Sequence, residues 1–462
     1  MTATDADAPR RSDERPTPSQ WTILFAFGGL TATLAAGYGV LFTVVDDYNS
    51  EYGISESAVG WLIGLGFLSG FLSQVLIAPY ADRGHARKVV LIGVSVNVVG
   101  LLLMAFGTSL VPLLIGRFVS GLGIGAASPA VRRIVIIADP DNLGTNLGRL
   151  LSADVFGFAM GPAISAVLVG PFGIAAPFFV ISGVALVLLP FVARVPVDET
   201  ALDARPRKRL AFDLLRIRPF AGATVLAGVA FVMIGGFDSL WALVHDELDT
   251  ADWIANLGIS LFAVPLVVLG PFAGRLAQTV GPFRVATVGL LAGAGFLTGY
   301  GLLPTGGLIF ALAMVHAVSD GLTISGPGVA AGMVVPADRQ AGAQGMLGAS
   351  QAVMAGLMAV VTGSVYENFG RTVAYSVVAA TMVVLIAVGV WLARDAWGLK
   401  RPLASPGSTG PIVASSAAAS SVAGEVGLSG AVLEEALHAD LGVVGPEDLD
   451  EGVALDLEPR GE

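Results

Sequence analysis

Five ionisable residues sit inside long apolar stretches of this chain: Arg117, Asp154, Asp238, His316 and Asp320. Inside a membrane span each would cost about 2.5–3.5 kcal/mol, so such groups line a cavity or find a partner. His316 and Asp320 are four residues apart and share a helix face; an imidazole beside a carboxylate takes up and releases a proton near neutral pH. The plainer alternative is a hydrogen-bonded pair that stabilises the helix packing. Asp154 shares a face with Gly157 and Gly161. It is a second proton-carrying candidate, or else a partner for Arg149 or Arg133. Arg117, in the run RFVSGLGIGA, either acts on a moving charge or pairs locally near the membrane edge. Asp238 follows Gly235-Gly236 and is expected in the outer third of its span, facing a cavity or vestibule.

Other chemistries are hard to build from these residues. The chain has no Cys, and its four His (His85, His245, His316, His438) have no metal-ligand spacing. None of the three lysines follows a glycine, so no P-loop is present. Neither G-x-S-x-G nor H-E-x-x-H occurs. An enzyme, a cofactor and a metal are therefore not expected.

The elements that hold these residues follow from composition. Only 13% of residues are charged and 54% are apolar, against about 25% charged in a soluble domain. Glycine, at 60 of 462, suits helices that approach closely in lipid. A span needs about 20 apolar residues. Runs of that length lie near 21–45, 57–79, 87–107, 109–131, 147–170 and 173–194, then near 219–243, 254–276, 283–303, 306–335, 341–365 and 372–394. Basic residues set the orientation. With the N-terminus cytoplasmic, 23 of the 25 Lys and Arg fall in cytoplasmic segments, leaving Arg371 outside and Arg117 within a span.

The expected architecture is an all-α integral membrane protein of twelve helices in two pseudo-symmetric six-helix bundles, both termini cytoplasmic. Its parts are an N-terminal tail (1–20), a first bundle (21–195), a basic linker (196–218), a second bundle (219–396) and an acidic tail (397–462). No signal peptide is expected before the first run, which stays as an anchor. The net charge of −11 mostly describes the C-terminal tail. That tail is expected to be disordered, with a possible amphipathic helix over Ala431–Leu441.

The halves align at an offset near 197: DPDNLGTNLGRL from Asp139 faces PADRQAGAQGML from Pro336, Ser128-Pro129 faces Gly326-Pro327, and Ala81-Asp82-Arg83 faces Ala277-Gln278-Thr279. Asp82 ends its helix, where the dipole disfavours an anion. It needs a partner, either Arg132 or Arg133, or the amides that open the helix near Gly342.

Over residues 21–395 the chain resembles the major facilitator superfamily. The hairpin Ala78-Pro-Tyr-Ala-Asp-Arg-Gly-His-Ala-Arg-Lys88 is similar to that family's signature loop between helices 2 and 3, with Ala78 and His85 where glycines are usual. Gly274-Arg-Leu-Ala-Gln-Thr-Val-Gly281 is a partial second copy. The resemblance implies that Asp82 meets the amides near Gly342 only while the cytoplasmic side is closed, which makes Asp82, Arg83, Arg87 and Lys88 a candidate cytoplasmic gate. It also implies proton coupling through Arg117, whose glycine-rich surroundings resemble the helix-4 motif. Gly157-Phe-Ala-Met-Gly161-Pro162 resembles the G-x-x-x-G-P signature of proton-driven antiporters, with Gly148 at its opening glycine; Ser165 and Ala166 replace its closing glycines. The motif equally serves close helix packing and a proline bend.

The expected function is secondary transport of a small molecule by alternating access, as proton-coupled efflux. Proton-coupled uptake of a polar metabolite is the alternative within transport. A non-transporting sensor or scaffold acting through the acidic tail is the alternative outside it. Expected partners are the substrate, protons and the bilayer, with no nucleic acid, in a monomer set in a prokaryotic cytoplasmic membrane.

Overall fold

The computed structural model of the chain describes residues 20–201 and 204–403. The N-terminal tail up to residue 19 and the acidic tail from residue 404, with the helix expected over Ala431–Leu441, lie outside the described residues.

Lipid offers backbone groups no hydrogen bonds, so apolar runs of this length satisfy their own amides as helices. In the first half these are α1 (Gln20–Gly39), α2 (Val45–Tyr52), α3 (Glu56–Leu76), α4 (Ala86–Phe106), α5 (Leu110–Ala138), α6 (Leu143–Phe172) and α7 (Ala176–Arg194). In the second they are α8 (Arg218–Glu247), α9 (Asp252–Val280), α10 (Pro282–Leu302), α11 (Gly306–Thr323), α12 (Gly326–Val334) and α13 (Gln340–Ala393). No strand occurs among the described residues. Eleven stretches among them are long and apolar enough to cross a membrane.

Two features depart from the expected spans. The segment after α1 folds into the short helix α2, whose Tyr48 is buried against the first half. The run expected over 306–335 is interrupted between α11 and α12, just ahead of Pro327, which has no amide hydrogen to donate back into α11. The last two expected runs lie within α13 and are divided at Gly370, where φ 76 and ψ 176 leave helical geometry.

The helices pack in two recurring patterns. In the first half α1 lies on α6 and α7, and α5 lies on α3 and α4. In the second, α8 and α10 pack on α13, and α9 packs on α11. Contacts between halves run through α6 with α9 and α3 with α13. One core, from Ala223 to Ala393, belongs wholly to the second half, whereas another joins Leu30, Val94 and Ile134 of the first half to Ala277 and Ala341 of the second. Large apolar side chains such as Phe25, Phe106, Val167, Val288 and Val360 remain exposed, as a surface solvated by lipid requires.

A candidate gate and a buried polar cluster

The loop after α3 closes as a 3-10 turn, Ala78–Arg83, opened by Pro79 and ended by Gly84 at φ 75, a left-handed conformation that suits glycine. The turn buries Asp82 and aims its carboxylate across the molecule. Oδ1 accepts from the Ala341 amide at 2.8 Å and Oδ2 from the Gly342 amide at 2.7 Å. These amides lie in the first turn of α13, where backbone donors have no partner within the helix and the dipole is positive. Arg133 adds an ion pair, its Nε 3.3 Å from Asp82 Oδ1. The two partners posed as alternatives from sequence, a cation or a helix N-terminus, are both engaged.

A second contact mirrors the first, and sequence reading assigned it no role. Gln278, near the end of α9, accepts from the Gly144 amide at 2.8 Å and donates to the Asp141 carbonyl at 2.6 Å. Gly144 opens α6 as Gly342 opens α13. Its signal was present: Gln278 is the residue facing Asp82 in the repeat. The chain after α13 reinforces this contact, Arg401 donating to the Pro140 carbonyl at 3.0 Å and through its own amide to the Gln278 carbonyl at 2.9 Å.

The other loop residues turn toward the linker. Glu199 accepts from the Ala86 and Arg87 amides, both at 2.8 Å, and Arg87 Nη2 donates to the Val195 carbonyl at 2.7 Å. Arg133, besides meeting Asp82, donates to the Asp198 carbonyl at 3.1 Å and to Thr200 Oγ1 at 2.7 Å. Farther along, Arg339 binds Asp213 through both oxygens at 3.1 and 2.8 Å, and Arg209 bonds the Tyr80 hydroxyl. The Arg339 guanidinium holds the Asp213 carboxyl below the usual carboxylate range. Arg83 is half-buried and Lys88 is exposed. Of the four expected gate residues only Asp82 reaches α13.

The expected helix-5 motif separates into two kinds of contact. Gly148 faces Gly270 of α9, and a Cβ there would meet the Gly270 carbonyl. Gly157 lies instead against Ala32 of α1, and Gly161 against Ala36, Gly39 and Val40, with Pro162 beside Gly39. Gly148 thus allows the halves to approach, while Gly157 and Gly161 allow α6 to approach α1. Asp154 is half-exposed. The partners expected for it are engaged elsewhere: Arg133 with Asp82, and Arg149 over Trp21 and with Asn146. Arg132 is the cation within its electrostatic reach.

In the second half His316 and Asp320 meet, with Nε2 3.4 Å from Oδ1. Tyr300 of α10 hydrogen-bonds His316 Nδ1 at 2.8 Å, a partner with no motif to reveal it. Phe296 stacks on the imidazole with ring centroids 4.7 Å apart, and Phe237 and Phe262 meet it edge-on. Tyr300, His316 and Asp320 thus form a buried cluster, with one hydrogen bond from Tyr300 to His316 and one 3.4 Å contact from His316 to Asp320. Asp238, on the neighbouring helix α8, is exposed. Arg117 is buried, with its guanidinium carbon 4.2 Å from the centre of the Tyr38 ring.

Residues 26–251 match the family model described as Major Facilitator Superfamily. Multidrug resistance protein 2 of Bacillus subtilis is 24% identical over 274 residues, covering 56% of this chain and 67% of that protein. The proton:xylose symporter XylE superposes with a TM-score of 0.68 at 14% identity, covering 83% of this chain and 97% of that one. The human organic anion transporter MFSD10 gives 0.66 at 15%, covering 81% and 100%. The crossed loop-to-helix contacts of Asp82 and Gln278 lie on an all-helical scaffold shared with these transporters. The chain is a multi-pass membrane protein whose residues 26–251 belong to the major facilitator superfamily.

Proposed function

We propose that the protein is a proton-coupled secondary transporter that exports a small lipophilic molecule across the cytoplasmic membrane by alternating access. In this reading Gly370 divides α13 into two spans, giving twelve in two bundles with both termini cytoplasmic. Asp82, Gln278 and the linker then meet at the cytoplasmic end, and the structure is the cytoplasm-closed form.

The observation that carries the reading is the crossed pair of contacts. A first-half carboxylate holds the start of α13, and a second-half amide holds the start of α6. Each contact crosses from one half to the other, and both must break for the halves to part. Protons are assigned to Tyr300, His316 and Asp320, with Asp154 and Asp238 as further carriers. Arg117 takes no part in carrying them, because a guanidinium stays protonated. Export is favoured over uptake of a polar metabolite by the use already made of buried polar groups. Asn97 donates to Ser120 Oγ at 2.8 Å, and Gln344 donates to the Gly328 carbonyl at 3.3 Å. The likeness to a multidrug resistance protein supports the same direction.

Vesicles reconstituted with the purified chain and given an inward proton gradient test this reading with a panel of lipophilic compounds. Compound movement coupled to opposite proton movement is expected. Asp320→Asn and His316→Ala should uncouple the two, and full coupling in both variants would refute the assignment of protons to this site.

A further inference from the structure

Arg117 is 1% exposed, and none of the described side chains offers it a carboxylate. A cation withdrawn from water without a counter-charge is strongly unfavourable, so the surroundings that keep it there are informative. Its guanidinium lies against the Tyr38 ring and within hydrogen-bonding reach of that side chain, while its Nε and Nη2 have no hydrogen-bond acceptor among the described residues. Tyr48, fully buried and within its electrostatic reach, likewise has a hydroxyl without a partner. Space for the guanidinium is provided by Gly66, where a Cβ would collide with Nε. Around it the Tyr38 ring meets Phe67 edge-on at 5.4 Å and lies 6.1 Å from Phe158, whose side chain reaches the exposed face of α6. The set is rich in donors and aromatic surface and poor in acceptors.

We infer that Arg117, Tyr48 and the aromatic wall of Tyr38, Phe67 and Phe158 form the binding site for a small aromatic carboxylate. The inference rests on the transport reading and names the class of molecule carried. A carboxylate supplies two acceptors in one plane, which match the fork of guanidinium N–H groups. Its ring adds to the aromatic wall. The Tyr38 ring lies over the guanidinium in a cation–π contact, which is weaker than a bidentate ion pair and leaves the guanidinium edge for a carboxylate.

Equilibrium dialysis of the full chain in detergent near neutral pH, with labelled benzoate, benzamide and benzylammonium, tests the site with three probes of one size and different charge. Benzoate should bind about tenfold or more tightly than benzamide, and benzylammonium least. Arg117→Gln should abolish the preference. Arg117→Lys, which keeps the charge and loses the fork, should weaken benzoate about tenfold while leaving benzamide unchanged. Equal binding of the three probes, binding of none, or a benzoate preference that survives Arg117→Gln each overturns the inference. If the preference holds and a proton gradient still moves no benzoate in vesicles, the site stands and the transport reading fails.

Discussion

At the scale of single residues the account depends on what each polar atom touches. His316 has the Tyr300 hydroxyl at Nδ1 and Asp320 3.4 Å from Nε2, so a change at either neighbour alters its surroundings. Tyr300→Phe removes one hydrogen bond and leaves the aromatic packing. It should displace the pH profile of coupled transport in vesicles, and an unshifted profile would count against the proton assignment. Asp213 provides a contrasting case on the linker. Its carboxyl is held below the usual range mainly by the hydrogen bonds from Arg339. A depressed folded-state value means that its contribution is complete above the ordinary carboxylate value, about 4, and is lost only as pH falls through the lower folded value. Thermal stability measured from pH 8 down to about 5 should therefore show no loss traceable to Asp213, with Asp213→Asn lowering the melting temperature equally across that range. A difference that vanished near pH 6 would contradict the assignment.

At the scale of elements, glycines on one helix do separate jobs. Gly148 meets the backbone of α9 in the other half, whereas Gly157 meets α1 in its own half. Adding a branched side chain at either forces a shift of backbone, with about 1–3 kcal/mol as the usual penalty for overpacking. Gly148→Val should keep the melting temperature near that of the native chain while raising the alkylation rate of single cysteines placed along the facing ends of α6 and α9. Gly157→Val should lower the melting temperature instead. The reverse pattern would show that Gly148 serves folding and Gly157 the gate. The G-x-x-x-G-P spacing alone did not separate these uses, because spacing fixes a helix face and not what lies opposite it. The same limit explains the misjudged partners of Asp154: Arg133 and Arg149 were near enough along the chain, yet Asp82, Trp21 and Asn146 hold them. Helix positions were legible because hydrophobic length is a local property. The break at Gly370 falls between the runs expected at 341–365 and 372–394, whereas the one near Ser325 depends on single residues within an otherwise continuous apolar run.

At the scale of the whole molecule, duplication set the scaffold and unequal residues set its chemistry. Asp82 and Gln278 occupy related places and make related contacts, but one is a carboxylate beside Arg133 and the other is neutral. That asymmetry was legible in the repeat, and the partner helices were not, since residues about 260 apart in the chain meet only in the folded protein. Asp82→Asn keeps the shape while losing the charge and one acceptor, which weakens the closed form by about 1.5–3 kcal/mol, or about tenfold to a hundredfold in population. A cysteine at Gly342 would disturb the contact it reports, because a Cβ there meets Ala211 at 2.9 Å and Asp82 Oδ2 at 3.2 Å. Lys88, in the first turn of α4, and Ala337, in the turn before α13, are both exposed, and the chain has no native cysteine to compete for label. The most direct test is therefore the distance distribution between spin labels at Lys88→Cys and Ala337→Cys, measured by pulsed electron resonance in lipid with and without Asp82→Asn. A single short distance that gives way to a longer population in the Asp82→Asn protein is the predicted result; identical distributions in the two proteins would contradict a gate held by Asp82.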